Sequence, residues 1–118
     1  MKIKNVAVIF TVASLDRTRR FYADALGIDL ARHEGYLSAA INDVVELVFF
    51  EGEAKPGNSP QFVFGLEEGG IDAVAARLAA QGVELVTPVS EAPGGWSVDF
   101  LDPDRHLLSY YQSADLPR

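Results

Sequence analysis

Residues 96–111, which read WSVDFLDPDRHLLSYY, contain two mainly apolar runs on either side of the segment Asp102-Pro103-Asp104-Arg105. Proline presets the backbone at the second position of a tight turn, and aspartate side chains accept hydrogen bonds from nearby backbone N–H groups. The pattern therefore predicts a β-hairpin. Because side chains alternate along a strand, one face of the first strand carries Ser97, Asp99 and Leu101. One face of the second strand carries Leu107, Ser109 and Tyr111.

The composition is that of one acidic domain. The chain has 118 residues, of which 48% are hydrophobic, so it is long enough to bury a core. Its net charge of −7 argues against a nucleic-acid or anionic-membrane partner, because phosphate groups attract clusters of Lys and Arg. The chain has no cysteine, which fits a cytoplasmic protein and excludes a thiolate metal site. Residues 6–12 predict a buried strand rather than the core of a signal peptide.

Upstream of the hairpin, the chain repeats one pattern of a strand, a helix and three strands. In the first half, the strands are predicted at 6–12, 28–32, 36–41 and 44–50, and the helix follows Ser14 and ends before Gly27. In the second half, a strand is predicted at 62–66, a helix begins at Ile71 and ends before Gly82, and a strand at 83–87 stops at Pro88. The hairpin then supplies the last two strands.

This repeat predicts an α+β fold of two βαβββ modules, residues 1–51 and 61–112, joined by a Pro- and Gly-containing linker at 52–60. A helix covers only one face of each module's sheet, so two modules placed together enclose a concave groove of the kind that binds small ligands. The linker permits the modules to pair within one chain or between two chains, and the sequence leaves that choice open. We expect a homodimer.

The arrangement resembles the vicinal oxygen chelate superfamily, which includes glyoxalase I, extradiol dioxygenases, fosfomycin resistance enzymes and bleomycin resistance proteins. The resemblance is carried by residues 12–22 (VASLDRTRRFY), by Leu26-Gly27 and by residues 100–104 (FLDPD). The family usually has Gly after the D-P-D segment, where this chain has Arg105.

Metal enzymes of the family bind their ion with one residue from each of four strands, and the resemblance maps these positions to Ala7, Glu46, Gln61 and Ser109. Only Glu46 has the family's usual residue type; the other three positions usually carry His, His and Glu. Alanine cannot bind a metal, and a Ser hydroxyl or a Gln amide is a poor ligand for Zn²⁺, Fe²⁺ or Ni²⁺. The two histidines, His33 and His106, match none of the positions. We therefore expect no metal ligands and no cofactor.

Side-chain alternation from these positions predicts which residues face the groove. The candidate ligand-binding residues are Ala7, Ile9, Glu46, Val48, Phe50, Gln61, Val63, Ser109 and Tyr111, with Trp96 at one rim. Trp96 either stacks on a ligand or packs at a sheet edge. The Glu46 carboxylate either faces the groove as a ligand-binding group or is paired with neighbouring residues. It is the only candidate for a catalytic acid or base.

Two functions are consistent with the resemblance. The first is a metal-free binding protein for a small hydrophobic or cationic organic molecule, such as an antibiotic, similar to the bleomycin resistance proteins. The second is a lyase, isomerase or dioxygenase of the same superfamily with an atypical metal site or an acid–base mechanism using Glu46. The three substituted ligand positions favour the first. The sequence does not identify the ligand.

Overall fold

The structure is a computed structural model that describes residues 1–53, 59–103 and 105–118. These residues form eight strands and two helices in the α+β arrangement that the sequence predicts. In chain order the elements are β1 (Ile3–Val12), α1 (Leu15–Leu26), β2 (Ala31–His33), β3 (Tyr36–Ala40), β4 (Val45–Glu51), β5 (Gln61–Leu66), α2 (Ile71–Ala80), β6 (Leu85–Ala92), β7 (Gly95–Leu101) and β8 (Leu107–Ser113).

The strands form one mixed sheet in the order β2-β3-β4-β1-β5-β8-β7-β6. Each half pairs its first strand parallel to its last, β1 with β4 and β5 with β8, and its other strands pair antiparallel. The halves join where β1 runs antiparallel to β5. The two βαβββ modules therefore pair within one chain, which settles the alternative that the sequence left open. Of the predicted linker, residues 54–58 lie outside the described residues.

Helix α1 begins and ends at the residues that the sequence predicts. The Ser14 hydroxyl accepts a hydrogen bond from the backbone N–H of Arg17 at 3.2 Å, and Gly27 closes the helix in the left-handed region with φ 69°. The helix covers a cluster of buried side chains in the first half, which consists of Leu15, Leu30, Leu37 and Phe49. This packing fixes the orientation of β3 and β4, so that their other face is turned away from the helix.

Helix α2 begins at a glycine, Gly70, which has no side chain to cap it. Its first N–H groups instead find partners near the end of the chain: Ile71 donates to the Gln112 side-chain oxygen at 2.9 Å, and Asp72 donates to the Arg118 carbonyl at 3.2 Å. Under α2, the second half buries Leu66, Ile71, Ala75 and Val98. Neither helix of the described ranges combines the length and the apolar character that crossing a bilayer requires.

Three strand predictions were wrong by three residues or more at one end. Strand β1 begins at Ile3 rather than at residue 6. Strand β6 runs through Pro88 to Ala92 instead of stopping at Thr87. It lies at the edge of the sheet, and its pairing with β7 shifts register between Thr87 and Ser90, so the missing proline N–H breaks no ladder hydrogen bond. Strand β2 begins only at Ala31, because the Ile28 N–H bonds back to the Tyr22 carbonyl at 2.9 Å and Leu30 is buried in the first core.

The β7–β8 hairpin forms as predicted, and its register places Asp99 opposite Ser109 and Ser97 opposite Tyr111. In the turn, the Arg105 N–H donates to the Asp102 carbonyl at 2.9 Å, and the Asp102 side chain accepts from the His106 N–H at 2.8 Å. Asp104, which also belongs to the predicted turn, lies outside the described residues. Arg105 has φ 69°, in the left-handed region that favours glycine. This conformation accounts for the glycine that the family usually has there.

Candidate ligand-binding site

A cavity of about 430 Å³ lies on the face of the sheet opposite the helices, between the two halves of the chain. Nine of the ten predicted residues line it: Ala7, Ile9, Glu46, Val48, Phe50, Gln61, Val63, Ser109 and Tyr111. Seven further residues complete the wall: Asn5, Tyr36, Gly65, Ala92, Pro93, Ser97 and Asp99. The structure therefore brings together residues from both modules.

Trp96 lies on the other face of the sheet. It packs against the buried cluster under α2, and the Arg118 guanidinium stands 4.0 Å from the centre of its ring. Ser97 and Asp99, on the same strand, line the cavity. Because side chains alternate along a strand, Trp96 faces away from it. Of the two interpretations of Trp96, the structure agrees with packing rather than with stacking on a ligand.

Three polar side chains form a hydrogen-bonded network in the cavity wall. Ser109 is only 1% exposed, and its hydroxyl accepts a hydrogen bond from the Gln61 amide at 2.6 Å. The same hydroxyl donates to the Asp99 carboxylate. Both hydrogen-bonding roles of Ser109 are thus used, and Gln61 and Asp99 are held in place from two other strands.

Asp99 and Tyr36 are the two cavity residues with a clear chemical role that the sequence analysis did not select. Asp99 shares a face with Ser97 in the predicted hairpin and lies opposite Ser109, so the hairpin register alone identifies it. Tyr36 is the cross-strand partner of Phe50, which was selected. Pairing β3 with β4 through their turn at Asn42 would have found it, since Asn42 accepts hydrogen bonds from the N–H groups of Val44 and Val45.

The residues at the family's four metal positions do not fit a metal ion. Ala7 and Glu46 are direct partners across β1 and β4, and Ala7 offers only a methyl group. The Gln61 amide nitrogen faces Ser109, whose proton in turn goes to Asp99. Among the described residues, no three His, Asp or Glu side chains come together as a metal site would require. One carboxylate beside an amide and a hydroxyl that are hydrogen-bonded to each other is not a transition-metal donor set.

The cavity is electrostatically negative. Its described lining includes two carboxylates, Glu46 and Asp99, and no Lys, Arg or His side chain. Asp99 is engaged by Ser109, whereas the partly buried Glu46 carboxylate makes no hydrogen bond or ion pair with any described residue. Burial, followed by the nearby Tyr36 and Glu46, raises the pKa of Tyr111, so this phenol stays neutral. A site with such a lining attracts cations.

A second, smaller cavity of about 250 Å³ lies on the helix side of the sheet. It is lined by Phe10, Val12 and Phe49 from the sheet and by Arg17, Thr18, Phe21 and Tyr22 from α1. It contains none of the predicted ligand-binding residues and no residue of the second module, so it is not the groove that the sequence predicts.

Known proteins share this fold. A family model described as the Glyoxalase/Bleomycin resistance protein/Dioxygenase superfamily matches residues 3–110. A member of that superfamily from Vibrio splendidus superposes with a TM-score of 0.65 at 16% identity, over 93% of this chain and 98% of that one. A methylmalonyl-CoA epimerase from Streptomyces coelicolor gives a TM-score of 0.62 at 18% identity, over 100% and 98% of the two chains.

A chain from Legionella pneumophila, described as an NAD-dependent benzaldehyde dehydrogenase, gives a TM-score of 0.74 at 16% identity and covers 92% of this chain and 98% of its own. Among curated proteins, none matches the chain. At these identities the similar structures establish the shared fold and nothing about the ligand.

Proposed function

The chain belongs to the Glyoxalase/Bleomycin resistance protein/Dioxygenase superfamily, and on that basis we propose that it binds a small organic molecule in the cavity between its modules without a metal ion. The observation that carries the proposal is the Gln61–Ser109 hydrogen bond at 2.6 Å, which joins two of the four family ligand positions to each other. A third position is Ala7. The cavity therefore lies at the family's ligand site but lacks the side chains with which its metal enzymes bind an ion.

The lining favours a ligand with an apolar body and a positive charge. Its apolar wall includes the aliphatic side chains of Ile9, Val48 and Val63. Desolvating these surfaces contributes on the order of 25 cal/mol per Å² of apolar area. Glu46 and Asp99 repel an anionic ligand, and a cationic group near Glu46 would gain a charge-assisted hydrogen bond or ion pair.

Sequestration of a basic natural product, such as an antibiotic, is the biological role that this chemistry suits best. A cytoplasmic homodimer is part of the same proposal. Because the modules already pair within the chain, we place the contact with a second copy on the helix side, where Phe21 is 56% and Phe62 is 44% exposed. Exposed aromatic residues of this kind are common at protein interfaces.

The competing function is a lyase, isomerase or dioxygenase of the same superfamily. The Glu46 carboxylate, which has no partner among the described residues, supports it, because such a group in a cavity can remove or deliver a proton. Metal content and turnover of the bound compound distinguish this enzyme from a metal-free binding protein.

The test combines elemental analysis of protein purified without chelators with a thermal-shift screen of natural products. We expect no stoichiometric Zn, Fe, Ni or Mn, and a rise in melting temperature with some basic compounds, because ligand at one hundred times Kd stabilises the fold by about 2.7 kcal/mol. Ala7→Phe, which fills the cavity, should abolish the shift, and Ala25→Phe on the exposed face of α1 should not. One equivalent of metal whose removal destabilises the protein would refute the proposal and favour the enzyme.

A further inference from the structure

Aromatic rings and the unpartnered carboxylate line the same cavity. Tyr36 and Phe50 are cross-strand partners on β3 and β4, with ring centres 5.4 Å apart. Tyr111 reaches the cavity from β8, and Tyr36 and Glu46 both lie near enough to contribute to the raised pKa of its phenol. The two modules thus place three aromatic rings and the Glu46 carboxylate in one cavity.

The rings are held by their surroundings. The His33 imidazole stacks on the Tyr36 ring with centres 4.5 Å apart, and the Tyr111 hydroxyl donates to the Pro93 carbonyl at 2.9 Å. The Tyr111 proton is therefore already used within the protein. These side chains can therefore offer a ligand their rings, whose faces carry negative potential.

The strand neighbours of Glu46 on the cavity face are apolar. Along β4 the next residue on its face is Val48, and across the parallel ladder its partner is Ala7. A primary ammonium group has three N–H donors and would need further acceptors here, whereas a fully alkylated ammonium has none to satisfy. Alkyl groups on nitrogen also reduce hydration, which lowers the cost of entering an apolar cavity.

We propose that the cavity binds an alkylated ammonium group, with Tyr36, Phe50 and Tyr111 against its alkyl groups and Glu46 as its counter-charge. Aromatic rings attract such cations through the negative potential over their faces, at distances up to about 6 Å from the ring centre. This inference rests on the proposed function, since it assigns a ligand class to the same cavity. Glu46 is assigned as the counter-charge rather than Asp99 because, of the two, it is the carboxylate that acts on the Tyr111 phenol, whereas Asp99 accepts a hydrogen bond from Ser109.

Three soluble probes with the same phenylethyl body test it: trimethyl(2-phenylethyl)ammonium, 2-phenylethylamine and 2-phenylethanol. Calorimetric titration should give the tightest binding for the quaternary ion, about fivefold weaker binding for the primary amine and the weakest for the neutral alcohol. Equal affinity for all three would overturn the ammonium assignment and leave metal-free ligand binding intact. No saturable binding of the quaternary ion would also overturn it, while the natural-product screen judges the proposed function separately.

Variants separate the contributions of charge and rings. Glu46→Gln should weaken both cationic probes about tenfold and leave the alcohol unchanged. Tyr36→Leu should remove the preference for the quaternary ion over the primary amine, because the two probes carry the same charge. Phe62→Leu, an exposed aromatic position on β5 outside the lining of both cavities, is the matched control and should alter no affinity. If folded Tyr36→Leu protein, verified by its melting temperature, keeps the preference, the aromatic role is refuted.

Discussion

Ser109 is a small residue with a large effect on the cavity wall, because its hydroxyl connects side chains from three strands. It is 1% exposed and bonds both Gln61 and Asp99. Ser109→Ala leaves an amide and a carboxylate without their shared partner, and we expect a loss of about 1–3 kcal/mol in the free energy of unfolding. Urea denaturation measures it.

The matched control is Ser97→Ala, which removes a hydroxyl from the same cavity wall on β7 outside this network. It should change the free energy of unfolding by no more than about 0.5 kcal/mol. If Ser109→Ala were as mild as Ser97→Ala, the network would have no structural role.

Arg105 has a backbone conformation that is unfavourable for residues other than glycine. At φ 69° a side chain with a Cβ is strained by roughly 1–2 kcal/mol. Arg105→Gly should therefore raise the free energy of unfolding by about 0.5–1 kcal/mol, since glycine relieves the strain but has more freedom when unfolded. Chemical denaturation at neutral pH measures the change.

The control for this turn is Arg105→Ala, which keeps the Cβ and removes the long side chain. It also removes the ion pair of Arg105 with Glu84 at 3.5 Å, in which both side chains are largely exposed and which contributes little. Arg105→Ala should be no more stable than the native chain. A glycine variant no more stable than the alanine variant would contradict the strain argument.

Among the elements, α2 depends on a residue far from it in sequence. Gln112 is 1% exposed; its oxygen accepts from the Ile71 N–H at 2.9 Å, and its amide donates to the Leu116 carbonyl at 3.0 Å. Gln112→Leu keeps the approximate volume and removes both bonds. We expect a loss of about 1–3 kcal/mol and faster amide exchange in the first turn of α2.

Gln81→Leu, at the exposed other end of the same helix, is the control for that experiment and should leave exchange at Ile71 unchanged. Unaltered exchange at Ile71 in the Gln112 variant would mean that the helix end is held by the chain terminus alone, through the Gly70 to Pro117 hydrogen bond of 2.7 Å.

The elements also explain how far the sequence could lead. Alternation along a strand and the chemistry of helix caps are local, so the faces of β1, β4, β5 and β8 and the limits of α1 could be predicted. Pro88 could not be placed correctly, because its tolerance depends on β6 being an edge strand. Tyr36 was missed for a similar reason, since its place in the cavity depends on the pairing of β3 with β4.

Trp96 is the opposite case, in which local information was sufficient. It alternates with Ser97 and shares a face with Val98, which is fully buried under α2. The preceding residue, Gly95, already belongs to β7 and lies so close to the Gln112 carbonyl that a Cβ there would clash with it. The strand is therefore regular at Trp96.

For the whole molecule, we expect a homodimer formed on the helix side of the sheet. Such an interface should bury on the order of 1,000 Å² or more in total. Light scattering at micromolar concentration should give the dimer mass, and Phe62→Glu should give the monomer, because a buried, unpaired carboxylate opposes association. Ile41→Glu, which is 47% exposed in the β3–β4 turn, should remain dimeric. A monomeric native chain would refute the prediction.

The antiparallel pairing of β1 with β5 has a consequence for measurements on this protein. It places both walls of the cavity on one covalent chain, so assembly of the site does not depend on how many copies meet. Dilution that separates subunits should leave each cavity whole. Titrations at nanomolar and micromolar protein should then return the same dissociation constant and one ligand per chain, whatever the equilibrium between monomer and dimer.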